Sequence, residues 1–309
     1  MRQDMIKRFA FSLAELLVVL AIVSAVLALL LPAIHSARES ARVMSCQNQS
    51  KQIALAILSF ESAHRMLPSN GWGYRWIYDP KRGVGVSQPG GWIGQVAPYA
   101  EFTFPNAGQG ALAEFDMRTQ LNASNWQLMH CPSRSSGLSL SSTSASPINA
   151  AYMAMVGKTD YAANEGDFIT DTRGGPLSLV EGDNARYDWT STEKATGVIF
   201  LRSTIRQSDI TDGTSQTYLT GEKYVSRNHY FDGRDLGYDQ SMFSGVDLDL
   251  NRWTIEPPKR DANSANVRLF GAPHASGCNL SLCDGSVHQI SYDIDATIHR
   301  SFGNRRDRR

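Results

Sequence analysis

The stretch "RFAFSLAELLVVLAIVSAVLALLLPAIHSAR", residues 8–38, decides how this chain is read. Residues 11–31 are predominantly apolar with one charge, Glu15, and about 21 residues at ~1.5 Å rise each cover the ~30 Å hydrocarbon core of a bilayer. Arg2, Lys7 and Arg8 precede the run, so the excess of positive charge predicts a cytoplasmic N-terminus with the remainder outside. A secretory signal would carry a shorter apolar core. Ala33, Ser36 and Ala37 offer it a cleavage site, but Glu15 sits where such a signal wants leucine. A carboxylate in hydrocarbon costs a few kcal/mol and is ordinarily paired. Arg8 is one partner within snorkelling reach. A new α-ammonium made by cutting before Phe11, on the same helix or a neighbouring copy, is the other.

Helical signals continue past Pro32. Residues 33–64 contain no glycine and no further proline, and Ile53, Ile57 and Phe60 repeat at helical spacing with Leu55 and Leu58 widening the stripe. One long helix with a kink is predicted, ~80 Å if continuous from residue 11 to about 65. It ends at "RMLPSNGWG" (65–73), where Pro68, Asn70 and Gly71 stop it.

Beyond that point Gly, Pro, Ser, Thr, Asn, Asp and aromatics dominate. The best strand candidates are "GWIGQVAPYAEF" (91–102), "TGVIFL" (196–201), "TYLTGEKY" (217–224) and "CNLSLCDGSVHQISY" (278–292). In the last, Asp284-Gly285 reads as a type I′ hairpin turn that sets Leu282 opposite Val287. A short helix over 111–121 is expected, as is a serine-rich loop over 133–146. The fold class is therefore α+β, a long N-terminal helix packed on a β-rich head. The segments are 1–10 as leader, 11–31 in the membrane, 32–66 packing on the head, 67–300 as the head, and 301–309 as a basic disordered tail.

Charge is balanced, with 30 basic and 30 acidic residues in 309, so no global field argues for nucleic acid. Four cysteines, at 46, 131, 278 and 283, are too few for a disulfide scaffold, and with no CxxC the sequence gives little weight to a zinc site. His274, Asp284 and Glu222 would make a catalytic or metal cluster if their strands met. Against this, Asp284-Gly285 is an ordinary tight turn. Asp247, Asp249 and Asn251 in "DLDLN" have the alternate spacing of calcium ligands, without the rest of an EF-hand loop; on a strand they are a solvated face. Trp72, Tyr74 and Trp76 alternate along "WGYRWIY" (72–78), as either a ligand-contacting face or a β core. No GxSxG, phosphate-cradling glycine loop or HExxH is present.

The N-terminus resembles a type IV prepilin leader: a short basic region, a cut before Phe11, and Glu15 at the fifth position of the mature chain. Ala10 stands where that family usually has glycine. Further phrases resemble a bacterial family of prepilin-like proteins with a C-terminal domain of unknown function. They are "CQNQSKQIALAI" (46–57), "CPSR" (131–134), "DYAAN" (160–164), "DGTSQTYLTGEK" (212–223) and "HASGCNLSLCDG" (274–285). In the last, nine residues separate His274 from the Asp284-Gly285 pair that marks the family. The resemblance implies processing between Ala10 and Phe11 by prepilin peptidase, methylation of Phe11, and Glu15 registering the helix against other pilin-like subunits. It implies a structural, non-enzymatic, pilin-like or pseudopilin-like subunit of a filament or type II secretion assembly. Its head would lie in the periplasm or at the cell surface, with no cofactor unless calcium. The alternative is a membrane-tethered module that recognises glycan or polymer and does not polymerise.

Overall fold

The computed structural model describes residues 13–106, 108–134, 139–143, 145–170 and 173–307. Ala10 and Phe11, where processing is expected, lie outside them. The chain forms two compact units, Met1–Val43 and Met44–Arg309. Their boundary falls inside the first helix, α1 (Leu13–His64), which carries Glu15 in its first turn and continues through Pro32. In the first unit α1 leaves its leucines, valines and isoleucines from Leu13 to Ile34 exposed, and it is long and apolar enough to cross a membrane.

In the second unit, α1 buries Cys46, Ser50, Ile53, Ile57 and Phe60, one face at steps of three and four. Small residues, Ala54 and Ala56, widen that face. Leu55, expected to do so, is 48% exposed. Arg65 closes the helix in a left-handed conformation (φ 59°), its N–H donating to the Glu61 carbonyl.

The helices that follow are α2 (Trp92–Val96), α3 (Ala111–Ala123), α4 (Leu179–Gly182) and α5 (Ala296–Gly303). The strands are β1 (Leu140–Ser141), β2 (Met155–Val156), β3 (Tyr161–Gly166), β4 (Tyr218–Glu222), β5 (Asn251–Trp253), β6 (Lys259–Arg260), β7 (Gly271–Ala272), β8 (Cys278–Leu282) and β9 (Val287–Ile290). The central sheet has the order β5-β3-β4-β8-β9, with β3 and β5 parallel and the other pairs antiparallel. Strands β3, β4 and β8 are buried along their whole length, whereas edge strand β9 leaves His288 and Gln289 exposed. The larger core joins the buried face of α1 to Trp92, Ile93, Tyr161, Ala163 and Leu219. A smaller one gathers Tyr218, Phe270, Leu280 and Leu282 against Phe302 of α5.

Three expectations are corrected. "GWIGQVAPYAEF" is not a strand: Trp92 to Ala97 are all buried, so the run carries no alternation, and it folds as α2 followed by a 3₁₀ turn at Ala97–Ala100. Gly94 permits this packing, since a Cβ there would stand 2.3 Å from the Tyr78 ring. "TGVIFL" is buried but forms no ladder; Gly197 and Val198 instead donate to the carbonyls of Glu165 and Asn164 at the end of β3. The tail is ordered through Asp307, because Asp295 caps α5 and Arg305 is buried, donating to the Ala195 and Gly197 carbonyls.

Candidate functional site

Four segments far apart in sequence bring chemistry to one point in the second unit. Cys46 comes from the buried face of α1, and Cys131 from the loop before β1. Glu222 ends β4, and His274 precedes β8. All four are 0% exposed, so no water-sized space touches them. Cys46 Sγ lies 2.8 Å from Cys131 Sγ, Cys131 Sγ lies 3.6 Å from His274 Nε2, and that nitrogen lies 3.4 Å from Glu222 Oε1. The four donor atoms all fall within 4.8 Å of one another.

The surroundings fix these side chains. Glu222 Oε2 accepts from the Asn279 backbone N–H at 2.7 Å and from its side-chain amide at 3.0 Å. Oε1 is left facing His274, with no hydrogen bond from elsewhere among the described residues. The Cys131 N–H donates to Asp160 Oδ2 at 2.6 Å, and the Tyr161 hydroxyl donates to the Cys46 carbonyl at 3.3 Å. Burial works against a charged His274, but its hydrogen bonds to Cys131 and Glu222 push its pKa up to about 11. Burial opposes ionisation of Cys131, yet hydrogen bonds from Cys46 and His274 bring its thiol below the ordinary range. Cys46 moves up, through its hydrogen bond to Cys131 and then its burial. Thiol and carboxylate meet the same imidazole nitrogen. A nucleophile–histidine–carboxylate relay needs them on opposite nitrogens. This geometry is instead that of converging ligands.

Next to this cluster lies a buried charge hub. Arg134 Nε donates to Asp261 Oδ2 at 2.8 Å, and Nη1 donates to Asp160 Oδ1 at 3.1 Å. Its Nη2 reaches the carbonyls of Lys223 and Gly271.

Asp284 does not join His274. It is exposed, and its Oδ1 accepts from the Ser286 N–H at 2.8 Å and hydroxyl at 2.6 Å. The hairpin register pairs Ser281 with Val287, so Leu282 does not face Val287. The turn has three loop residues and ends at Gly285 with φ +83°, while Asp284 is not left-handed. This is a type I turn closed by a glycine bulge, one residue longer than type I′. A Cβ on Gly285 would stand 2.8 Å from Leu58 of α1, and its carbonyl accepts from Lys51 at 2.7 Å. Gly285→Ala is expected to cost about 1–2 kcal/mol, lowering the melting temperature by roughly 2–8 °C. Circular dichroism of the full chain in detergent measures the shift, and an unchanged melt would contradict the strained turn.

Asp247 and Asp249 converge with Asp239, all three buried and with carboxylate oxygens within 4.8 Å. Asn251 has other commitments, its amide bonded to Asn70 and Glu165. Counter-charge is already present: Lys223 Nζ donates to the Asp249 carbonyl at 2.7 Å and lies 3.8 Å from its Oδ1, and Lys158 is buried nearby in the same field. Burial pulls Lys223 down to about 7 and Lys158 to about 8, and pushes Asp239 up to about 7. Asp247 and Asp249 therefore form a buried carboxylate group with Asp239 rather than a solvated face, and Asn251 is not part of it.

Trp72 and Trp76 are each 1% exposed, in edge-to-face contact 5.1 Å apart, with indole N–H groups donating to the Val86 and Pro176 carbonyls. They are core residues and present no face to a ligand; Tyr74 is half-buried. Of the two readings of "WGYRWIY", the core one holds for both tryptophans, whose hydrogen-bonding ends are satisfied inside the fold, and the ligand-contacting one is corrected.

Sequence reasoning named His274 and Glu222 but missed Cys46, Cys131 and Arg134 as their neighbours. The available signal was that each lies in a phrase carrying the family resemblance. No curated protein matches the chain, and no solved structure does. The model of one family matches residues 35–297, a span that takes in Cys46, Cys131, Glu222 and His274, and the chain belongs to that family, described as Protein of unknown function (DUF1559).

Proposed function

We propose that this protein is a type IV pilin-like or pseudopilin-like structural subunit. It is cut by prepilin peptidase between Ala10 and Phe11, and anchored and assembled through its N-terminal helix. The observation that carries this reading is the composition of α1. One helix holds both a membrane-length apolar segment with Glu15 in its first turn and the buried face from Cys46 to Phe60. Pilin-like subunits need that pairing, since the same helix must pack against lipid or neighbouring subunits at one end and hold the head at the other. The head lies outside the cytoplasmic membrane and acts by contact rather than catalysis.

The N-terminal mass of the mature chain, taken from membranes and from material sheared off cells, tests the proposal. The expected result is a chain beginning at methylated Phe11 in both fractions. Glu15→Ala should still be processed but should fall about tenfold or more in the sheared fraction, having lost a charge pair in a low-dielectric contact. A chain beginning at Met1 and confined to membranes would overturn the proposal and leave a tethered, non-polymerising module.

A further inference from the structure

We propose that Cys46, Cys131, Glu222 and His274 form a closed, four-coordinate structural zinc(II) site that clamps α1 onto the sheet of the head. This does not rest on the pilin reading.

The donor set is two thiols, one imidazole nitrogen and one carboxylate oxygen. Thiolate and imidazole together select zinc over calcium or magnesium, which take oxygen ligands. Around zinc, with bonds of ~2.0–2.3 Å, tetrahedral ligand atoms stand roughly 3.3–3.8 Å apart. The sulfur–nitrogen and nitrogen–oxygen separations, 3.6 and 3.4 Å, already have that spacing. Only the 2.8 Å sulfur pair is compressed, and it would open by about 1 Å around the ion.

The outer contacts are those a metal site needs. Asn279 occupies one oxygen of Glu222 and leaves Oε1 aimed inward. Asp160, held by Arg134, fixes the backbone at Cys131. Full burial of all four side chains leaves no open coordination position, which distinguishes structural from catalytic zinc.

A Cys46–Cys131 disulfide is the competing use of these thiols in an exported head. It would leave Glu222 and His274 as a fully buried pair beside a neutral bond, with their desolvation poorly offset. Zinc satisfies all four groups at once, the thiols binding as thiolates and releasing their protons to solvent.

The test uses the full chain, purified in detergent without a histidine tag. Metal content and cysteine alkylation after denaturation are measured together. About one zinc per chain, with Cys46 and Cys131 both alkylated, is expected. A Cys46–Cys131 disulfide without metal, or two free thiols without metal, would each overturn the proposal, and neither measurement needs a variant. Cobalt exchanged for zinc should show thiolate-to-metal absorption with tetrahedral visible bands. Asn279→Ala should keep those bands while lowering zinc affinity about 10–100-fold. Unchanged zinc affinity in Glu222→Gln would overturn the four-ligand site.

Discussion

Arg134→Ala is expected to lower the melting temperature of the head by about 6–20 °C, or to leave it unfolded. The guanidinium is fully buried between Asp160 and Asp261, which are buried as well. Removing it takes the paired guanidinium from two buried carboxylates, at about 3–5 kcal/mol for a broken buried pair, against a total stability of about 5–15 kcal/mol. Orphaned carbonyls at Lys223 and Gly271 add to the cost. Arg134→Lys keeps the charge but loses the fork, and should fall between the two. Thermal melts of wild type and both variants in detergent provide the check. An alanine variant melting within about 2 °C of wild type would mean that the guanidinium does not hold the two carboxylates together, and would dissolve the hub.

That hub joins residues distant in the chain, whereas the legible parts of the fold are local. The apolar run, the helical repeat of Ile53, Ile57 and Phe60, and the β8–β9 hairpin can all be read locally, because each is a periodicity or a turn within about a dozen residues. Trp92–Val96 and the segment around Val198 misread as strands, since short, fully buried apolar runs carry no alternation to tell helix, strand and irregular backbone apart. The hairpin was legible as a hairpin, but its register depended on whether Asp284 or only Gly285 takes positive φ, which the sequence leaves open.

The candidate site is a different case. Cys46 and Cys131 are 85 positions apart, with no short spacing to announce a ligand pair. Only the topology, which lays α1 over β3 and β4, brings them to Glu222 and His274. Yet the phrases behind the resemblance each deliver one member of the cluster or its support: Cys46, Cys131 with Arg134, Asp160, Glu222 and His274. Motifs that look unrelated along the chain are one buried polar assembly in space. Asp284-Gly285 stands apart, being a turn against Leu58 and Lys51 of α1.

Glu165→Gln is expected to stabilise the protein at alkaline pH and to leave it nearly unchanged in acid. Glu165 is fully buried in β3; its Oε2 accepts from Asn251, and its Oε1 has no hydrogen-bond partner among the described residues. Burial, only partly offset by Asn251, raises its pKa from 4.5 to about 8. Between those values the native state keeps a proton that the unfolded chain has released, so stability falls as pH rises. The term is fully favourable below about pH 4.5 and lost by about pH 8, amounting to roughly 4–5 kcal/mol. Glutamine presents the same accepting oxygen to Asn251 and cannot ionise, so the loss disappears. The lysines in the head titrate with the opposite slope: Lys223, drawn down to about 7, regains stability as pH rises above that value. Only the difference between variant and wild type isolates Glu165. Denaturation of both chains between pH 4.5 and 9 should give a difference near zero at the acid end that grows steadily and levels off above pH 8. A difference independent of pH would mean that Glu165 is ionised in the fold, with a cation rather than Asn251 as its main partner.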